Sequence, residues 1–189
     1  MKSLIKTILA ILIVVSSATS LSCKKDLFDE KRSATLNIHP SKQITGESGI
    51  FSAEKEISKN DISKVDKDWD KILDIWLKSS QFRMESKNLQ SGDLVQLEIS
   101  CSDVSERYNK TITVEKLNET YSGITLGIDQ DSEYKTFMNS VFNEMKSKKS
   151  LNFRVQGIVM DKSESPLSNI ELDITINNKL EIKVRWFTS

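Results

Sequence analysis

The sequence predicts a mainly β fold, either an antiparallel β-sandwich or a partly open barrel, that carries two amphipathic helices. Apolar and polar residues alternate with period two along most of the chain, which is typical of half-buried strands. Segments of this kind outnumber helical ones, and antiparallel hairpins are commoner than strand–helix–strand alternation. The chain has no internal repeat and no interior linker, so the pattern predicts one layered domain.

The clearest strand is predicted over residues 93–102. Val95, Leu97, Ile99 and Cys101 share one of its faces, and polar residues occupy the other. A second clear strand is predicted over residues 151–159. Its apolar positions are Leu151, Phe153, Val155 and Val159. Weaker or shorter strands are predicted at residues 35–38, 49–57, 74–84, 112–114 and 124–128.

The C-terminal residues predict a β-hairpin. Apolar and polar residues alternate on both sides of residues 177–179. A three-residue loop there places Ile174 opposite Ile182 and Asp173 opposite Lys183, which are favourable cross-strand pairs. A two-residue loop sets apolar residues against charged ones, so it is disfavoured. Asparagine also tolerates the left-handed conformation that such loops require.

Two segments have the spacing of amphipathic helices. The first covers residues 132–148, with Asp131 as the N-cap and lysines in the last turn. Its apolar face is Tyr134, Phe137, Met138, Val141, Phe142 and Met145. The second covers about residues 61–72, and Ser58 with Asp61 forms a possible capping box before it. Its apolar side is Ile62, Val65, Trp69 and Ile72.

Composition limits the class of protein. The chain has 189 residues, 27 basic and 27 acidic side chains, and 38% hydrophobic residues. These values exclude a disordered tail and a disulfide-dense miniprotein, and the length fits a single domain. Because the net charge is zero, no global basic field favours nucleic acid, and no nucleic-acid partner is predicted.

The N-terminus predicts a secretory signal peptide. Lys2 and Lys6 precede the apolar residues 8–15, small residues follow, and the first acidic residue is Asp26. The apolar run is about half of the roughly 18 residues that a membrane-spanning helix needs. Residues 1–22 are therefore interpreted as a segment that directs export.

The residues at the end of this segment are Ser20, Leu21, Ser22 and Cys23. This sequence resembles the lipobox of bacterial lipoprotein precursors, with Ser22 at the small position and Cys23 at the invariant one. The resemblance implies cleavage before Cys23 and attachment of a diacylglycerol to its thiol. Ordinary cleavage after Ser20 is the alternative.

The same resemblance implies a domain organisation and a location. Lys24 stands where lipoproteins retained in the inner membrane carry Asp, so the implied location is the outer membrane. Residues 23–33 would form a lipidated tether, and residues 34–189 a single β-rich domain. The membrane, reached through the N-terminal lipid, would then be one partner.

The sequence lacks the residues that most common catalytic sites require. His39 is the only histidine, so a zinc site with two histidines is excluded, and any Ser-His-Asp triad must use His39. No nucleotide-binding glycine motif is present. Asp129 and Asp131 have the alternate spacing of a calcium loop, but Tyr134 stands where that loop needs glycine. No catalytic residue, metal or cofactor is predicted.

These observations favour a non-enzymatic lipoprotein of the outer membrane, which binds a macromolecule or helps to hold an envelope assembly. The alternative is a glycan-binding surface lipoprotein accessory to carbohydrate uptake. Its binding residues would be Trp69, Trp76 and Trp186, since glycan sites use exposed aromatic platforms. An envelope protein or a glycan is thus the expected partner, and a hydrolase is the third hypothesis.

Overall fold

The computed structural model describes residues 27–65, 69–86, 88–115, 117 and 123–187. By contacts within the chain, the described residues fall into two units, one that contains residues 27–30 and 185–187 and one that lies within residues 31–184. The strands are β1 (Leu27–Gly46), β2 (Ile50–Ser58), β3 (Ile72–Glu85), β4 (Leu94–Cys101), β5 (Tyr108–Thr113), β6 (Gly123–Gly127), β7 (Ser150–Met160) and β8 (Ile170–Phe187). The helix α1 covers Ser132–Ser147.

The described strands form two four-stranded sheets, with the orders β1-β8-β3-β6 and β2-β7-β4-β5. Every strand pair with a defined register is antiparallel. Alternate residues are buried along β4 and β8 and contribute to the core, as the period-two pattern predicts, whereas β6 buries the adjacent Gly123 and Ile124. The mainly β prediction is therefore confirmed, and the described strands form two separate sheets rather than a closed barrel.

Helix α1 connects the cores of the two sheets. Its Tyr134 ring packs edge-on against Tyr108 of β5 with centroids 5.2 Å apart, and Phe137 lies 5.8 Å from Phe153 of β7. On its other side the Tyr134 hydroxyl donates a hydrogen bond to Asn178 of β8. The predicted apolar face of this helix is completely buried, and Asp131 is its N-cap.

The smaller unit contributes the ends of β1 and β8. Asp29 Oδ1 accepts a hydrogen bond from Arg185 Nε at 3.0 Å. Glu30 Oε2 accepts one from Trp186 Nε1 at 2.9 Å. Strand β1 begins at Leu27, inside the segment 23–33 that was expected to be a tether. The domain boundaries predicted from the sequence, which start in residues outside the described ranges, stay predictions.

The helix predicted at residues 61–72 is wrong. The described residues there form two short 3₁₀ turns, Lys59–Asp61 and Trp69–Lys71. Ser58 and Asp61 do form the capping box, but it caps the first of these turns. The helix does not continue because Ile62 makes a β-bridge to Leu36. Lys64 then adopts a φ of 66°, a left-handed conformation that an α-helix excludes.

The predicted C-terminal hairpin is also wrong, because β8 runs unbroken through residues 177–179. It pairs with β3 along its length, so Ile174 lies opposite Met84 and Ile182 opposite Ile75. The irregularity falls on β3 instead, where a register shift separates Leu77 from Ser79. Ile174 and Ile182 are both buried, as expected, although they do not face each other.

Asn178 explains why the chain does not turn there. Its side chain points to the interior and is 1% exposed. Its Oδ1 accepts hydrogen bonds from Ser80 Oγ at 2.8 Å and Tyr134 Oη at 2.9 Å. Its Nδ2 donates to the Leu36 carbonyl oxygen at 3.2 Å. A buried amide with these partners stabilises an extended strand, whereas a loop would expose it.

We predict that Asn178→Ala destabilises the protein by about 1–3 kcal/mol, because it leaves buried hydrogen-bonding groups of Leu36 and Ser80 with fewer partners. Asn177→Ala is the matched control, since Asn177 lies on the outer side of the same strand and is only half-buried. It should change the unfolding free energy by no more than about 0.5 kcal/mol. Urea unfolding of both variants measures the difference. Equal losses would contradict the assigned role of Asn178.

Candidate functional site

A groove crosses the outer face of the sheet β2-β7-β4-β5, and two rows of outward side chains form its walls. Direct strand pairing places the residues of each row side by side. One row is Ile50, Ile158, Gln96 and Thr111. The other row is Ser52, Gln156, Glu98 and Asn109. The concavity has a volume of about 710 Å³ and extends over all four strands, roughly 14 Å across.

Between the two rows the side chains point inward, so backbone forms the floor of the groove. Gly157 lies at its centre, paired with Phe51 on one side and Leu97 on the other. A Cβ atom at Gly157 would lie 2.0 Å from the carbonyl oxygen of Gln96 and 2.8 Å from the Phe51 ring. Glycine is therefore required for this close approach of strands and core.

The groove is chemically graded. At the β2 end Ile50 is 61% exposed and lies beside the half-buried Ile158. Towards β5 the walls carry amide and hydroxyl groups, which both donate and accept hydrogen bonds. Glu98 is the acidic residue of the lining, and its Oε1 accepts from Gln156 Nε2 at 2.8 Å and Arg107 Nη1 at 3.1 Å. Its charge is thus already offset.

Lys110 and Asp131 connect the β5 end of the groove to helix α1. Lys110 Nζ lies 3.0 Å from Asp131 Oδ2, and this contact lowers the pKa of the Asp131 carboxyl below its usual range. Asp131 Oδ1 accepts the backbone amide of Glu133 as the helix cap. The acid that resembled part of a calcium loop is therefore occupied by a cap and an ion pair. Within the described ranges no cluster of three potential metal ligands occurs.

The tryptophans predicted for glycan binding do not belong to the groove, whose described lining contains no tryptophan. All three are half-buried. Trp76 on β3 has Lys31 Nζ at 5.8 Å from its ring centroid, and Trp69 lies in a 3₁₀ turn. Trp186 donates to Glu30. His39 is half-buried and contacts Asp173 Oδ1 through Nε2 at 2.6 Å. Cys23 lies outside the described residues.

Sequence reasoning missed the groove because outward polar residues on strands are ordinarily a solvated surface. One signal was present in the sequence. The apolar alternation of residues 151–159 skips position 157, which is glycine. A glycine at an inward position of a strand indicates a close approach of backbone or side chain.

Cys101 is buried on the inner face of β4, 6% exposed, as predicted. Burial, reinforced by the nearby negative charge of Asp103, raises the pKa of its thiol from 9.0 to about 12. The thiol therefore stays protonated at neutral pH and belongs to the core.

Neither a family model nor a curated protein sequence matches the chain. Solved structures do, at low similarity. A structure of Desmodium yellow mottle tymovirus matches this chain with a TM-score of 0.36 and 8% sequence identity, and the match covers 86% of this chain and 91% of that chain. A structure of Mud crab tombus-like virus matches with a TM-score of 0.36 and 9% sequence identity, over 87% of this chain and 81% of that chain. A structure of Turnip yellow mosaic virus matches with a TM-score of 0.35 and 10% sequence identity, over 87% of this chain and 85% of that chain.

These comparisons correct the functional prediction from the sequence. The similar structures are viral capsid proteins, not lipoproteins or outer-membrane proteins. The envelope lipoprotein module and its glycan-binding alternative are therefore set aside. With TM-scores below 0.5 the likeness assigns no function in their place. Lipid attachment at Cys23 and a location at the outer membrane concern residues outside the described ranges and stay predictions. No helix among the described residues is long and apolar enough to cross a membrane.

We predict that Cys101 reacts slowly with a thiol reagent in the native protein. In the Cys23→Ser variant it is the single cysteine. A pKa raised from 9.0 to about 12 lowers its thiolate fraction at pH 8 about a thousandfold. Native stability should also fall as the pH rises above 9.0, because the unfolded thiol ionises there while the buried thiol does not.

The measurement is the labelling rate at pH 8 in buffer and in denaturant. The control is a chain with both cysteines replaced by serine and the exposed Ser105 replaced by cysteine, which should label rapidly in both conditions. Native labelling of Cys101 as fast as that of the control thiol would contradict its burial.

Proposed function

We propose that this chain is a non-enzymatic binding protein that holds an extended polypeptide segment of a partner protein in the groove of the sheet β2-β7-β4-β5. The observation that carries the proposal is the groove itself. It is open to solvent, it has a floor of backbone between two rows of side chains, and its volume is about 710 Å³. This volume lies within the range of about 300–1,000 Å³ that ligand-binding clefts have.

The shape suits an extended chain. The two walls are separated by two residues along each strand, about 7 Å, which leaves room for one backbone between them. The walls offer uncharged groups, among them the amides of Gln96 and Asn109 and the hydroxyl of Thr111. Each amide both donates and accepts hydrogen bonds, which matches the alternating N–H and C=O groups of a peptide.

The apolar end of the groove supplies a contact for a side chain. Ile50 is one of two large hydrophobic residues that are strongly exposed in the described part of the chain, and Ile158 lies directly beside it. An aliphatic side chain of the bound segment would cover both isoleucines. Removal of this apolar surface from water would contribute about 1.5–3 kcal/mol.

Charge argues against an anionic ligand. Glu98 contributes a negative charge to the lining, and Lys110, whose ammonium group lies at Asp131, contributes the positive one. A phosphate-rich ligand is bound by clusters of lysine and arginine, and the groove lacks such a cluster among its described lining residues. That lining also contains no histidine and no cysteine, which supports a role without catalysis.

The test is selection of peptides from a display library against the full chain, followed by titration of the enriched peptides. We expect enriched peptides to contain an aliphatic residue among polar ones. Ile50→Ser should weaken their binding about tenfold or more, because an exposed isoleucine loses its apolar contact. Gln96→Ala should also weaken it, since Gln96 is exposed on the same wall.

The matched controls are Glu56→Ser and Asn152→Ala. These residues lie opposite each other on the same outer face, but they are not part of the groove. Both variants should bind the peptides like the unaltered chain. Equal binding by all four variants, or the absence of any enriched peptide, would overturn the proposal.

A further inference from the structure

The two edges of the sheet β2-β7-β4-β5 share an unusual feature. Among the described strands, β2 and β5 are the edges, because each pairs on one side only. Each carries a lysine on the core-facing side of the strand, where the residues two positions before and two positions after it are buried. Lys55 lies between the buried Ala53 and Ile57. Lys110 lies between the buried Tyr108 and Ile112.

The position of Lys55 is set by register. It lies opposite Phe153, which is completely buried, so its Cα–Cβ bond points to the inner face of the sheet. The side chain is nevertheless exposed. A long aliphatic side chain can pass around an open edge and keep its ammonium group in water. A further strand paired to β2 would close that path.

A second copy of β2 has three central antiparallel registers that continue the sheet. Centring the pair on Glu54 sets Glu54 against Glu54 of the copy. Centring it on Lys55 sets the two lysines against each other. Centring it on Ala53 sets Lys55 against Phe51 on the core side. Like charges opposite each other destabilise a strand pair, and enclosing a lysine ammonium group in a core without a partner is strongly unfavourable.

We propose that Lys55 keeps the β2 edge from pairing with a second copy of this chain in the register centred on Ala53, the one of the three in which no like charges lie opposite each other, so that β2 is a dimerisation edge that this side chain blocks. Without the lysine, β2 presents nine residues of strand whose outer side no other described strand pairs with, and the Ser58 amide at its end donates to Asp61. The β5 edge is engaged in another way, because its Lys110 forms an ion pair with the N-cap of α1. This inference is independent of the groove, which lies on the face of the sheet.

The experiment replaces Lys55 by valine, which suits a strand and fits the row of Ala53 and Ile57. Lys179→Val is the matched control. It makes the same change of charge and apolar area at an exposed position of β8, an interior strand that pairs with β1 and β3. Light scattering coupled to size exclusion measures mass over a hundredfold range of concentration, and hydrogen exchange measures the protection of residues 50–58.

The unaltered chain and Lys179→Val should remain monomers over the whole range. Lys55→Val should form dimers as concentration rises, and its β2 amides should exchange at least tenfold more slowly in the dimer. Dimers of both variants would show general stickiness and overturn the proposal. A monomeric Lys55→Val with native β2 exchange, or dimers without added protection of β2, would overturn it as well. If Lys55→Val does not fold, Lys55→Thr provides the same test with a polar β-branched residue.

Discussion

The buried hydrogen bonds of Asn178 determine how the larger unit is assembled. One side chain joins Ser80 of β3, Tyr134 of α1 and the Leu36 carbonyl of β1. A side-chain amide buried without hydrogen-bond partners costs free energy. The three elements therefore have to pack together for burial of Asn178 to be favourable. The network therefore fixes the register of β8 next to the irregularity of β3, and it fixes where the helix docks.

The position of α1 explains why the groove exists on an outer face. The helix fills the interior with Tyr134 against Tyr108 and Phe137 against Phe153. The apolar face of α1 is thus buried in the core, and the helix does not cover the outer side of β2-β7-β4-β5. That side is left to its own side chains, and the inward-facing positions between the two outward rows leave backbone as the floor of the groove. Other inward positions of β7 carry side chains, but position 157 is glycine. The Phe51 ring and the Gln96 carbonyl oxygen occupy the space that its side chain would need.

Local pattern was sufficient for most of the fold and insufficient where one residue responds to distant partners. Strand β4 and helix α1 were predictable because their periodicity is set by their own residues. Asn177 and Asn178 resemble a turn in the sequence, and only the contacts of Asn178 with Ser80 and Tyr134 make them part of a strand. The failed helix at residues 61–72 has the same origin, since Ile62 pairs with Leu36. The groove was hidden because its residues come from four strands whose order cannot be read from sequence.

The faces and edges of the sheet β2-β7-β4-β5 are chemically different, and this difference bears on how a partner is admitted. Its edges carry lysines at inward positions, where a paired strand would enclose a charge. Its outer face carries neutral amides, hydroxyls and two neighbouring isoleucines, where contact with a partner encloses no unpaired charge. The main-chain hydrogen bonds of strand addition at an edge are the same for every sequence, because every chain has the same peptide groups. Binding across a face depends on side chains. On these two proposals, the sheet would bind a partner through side chains of its outer face, while the inward lysines would disfavour strand pairing at its edges.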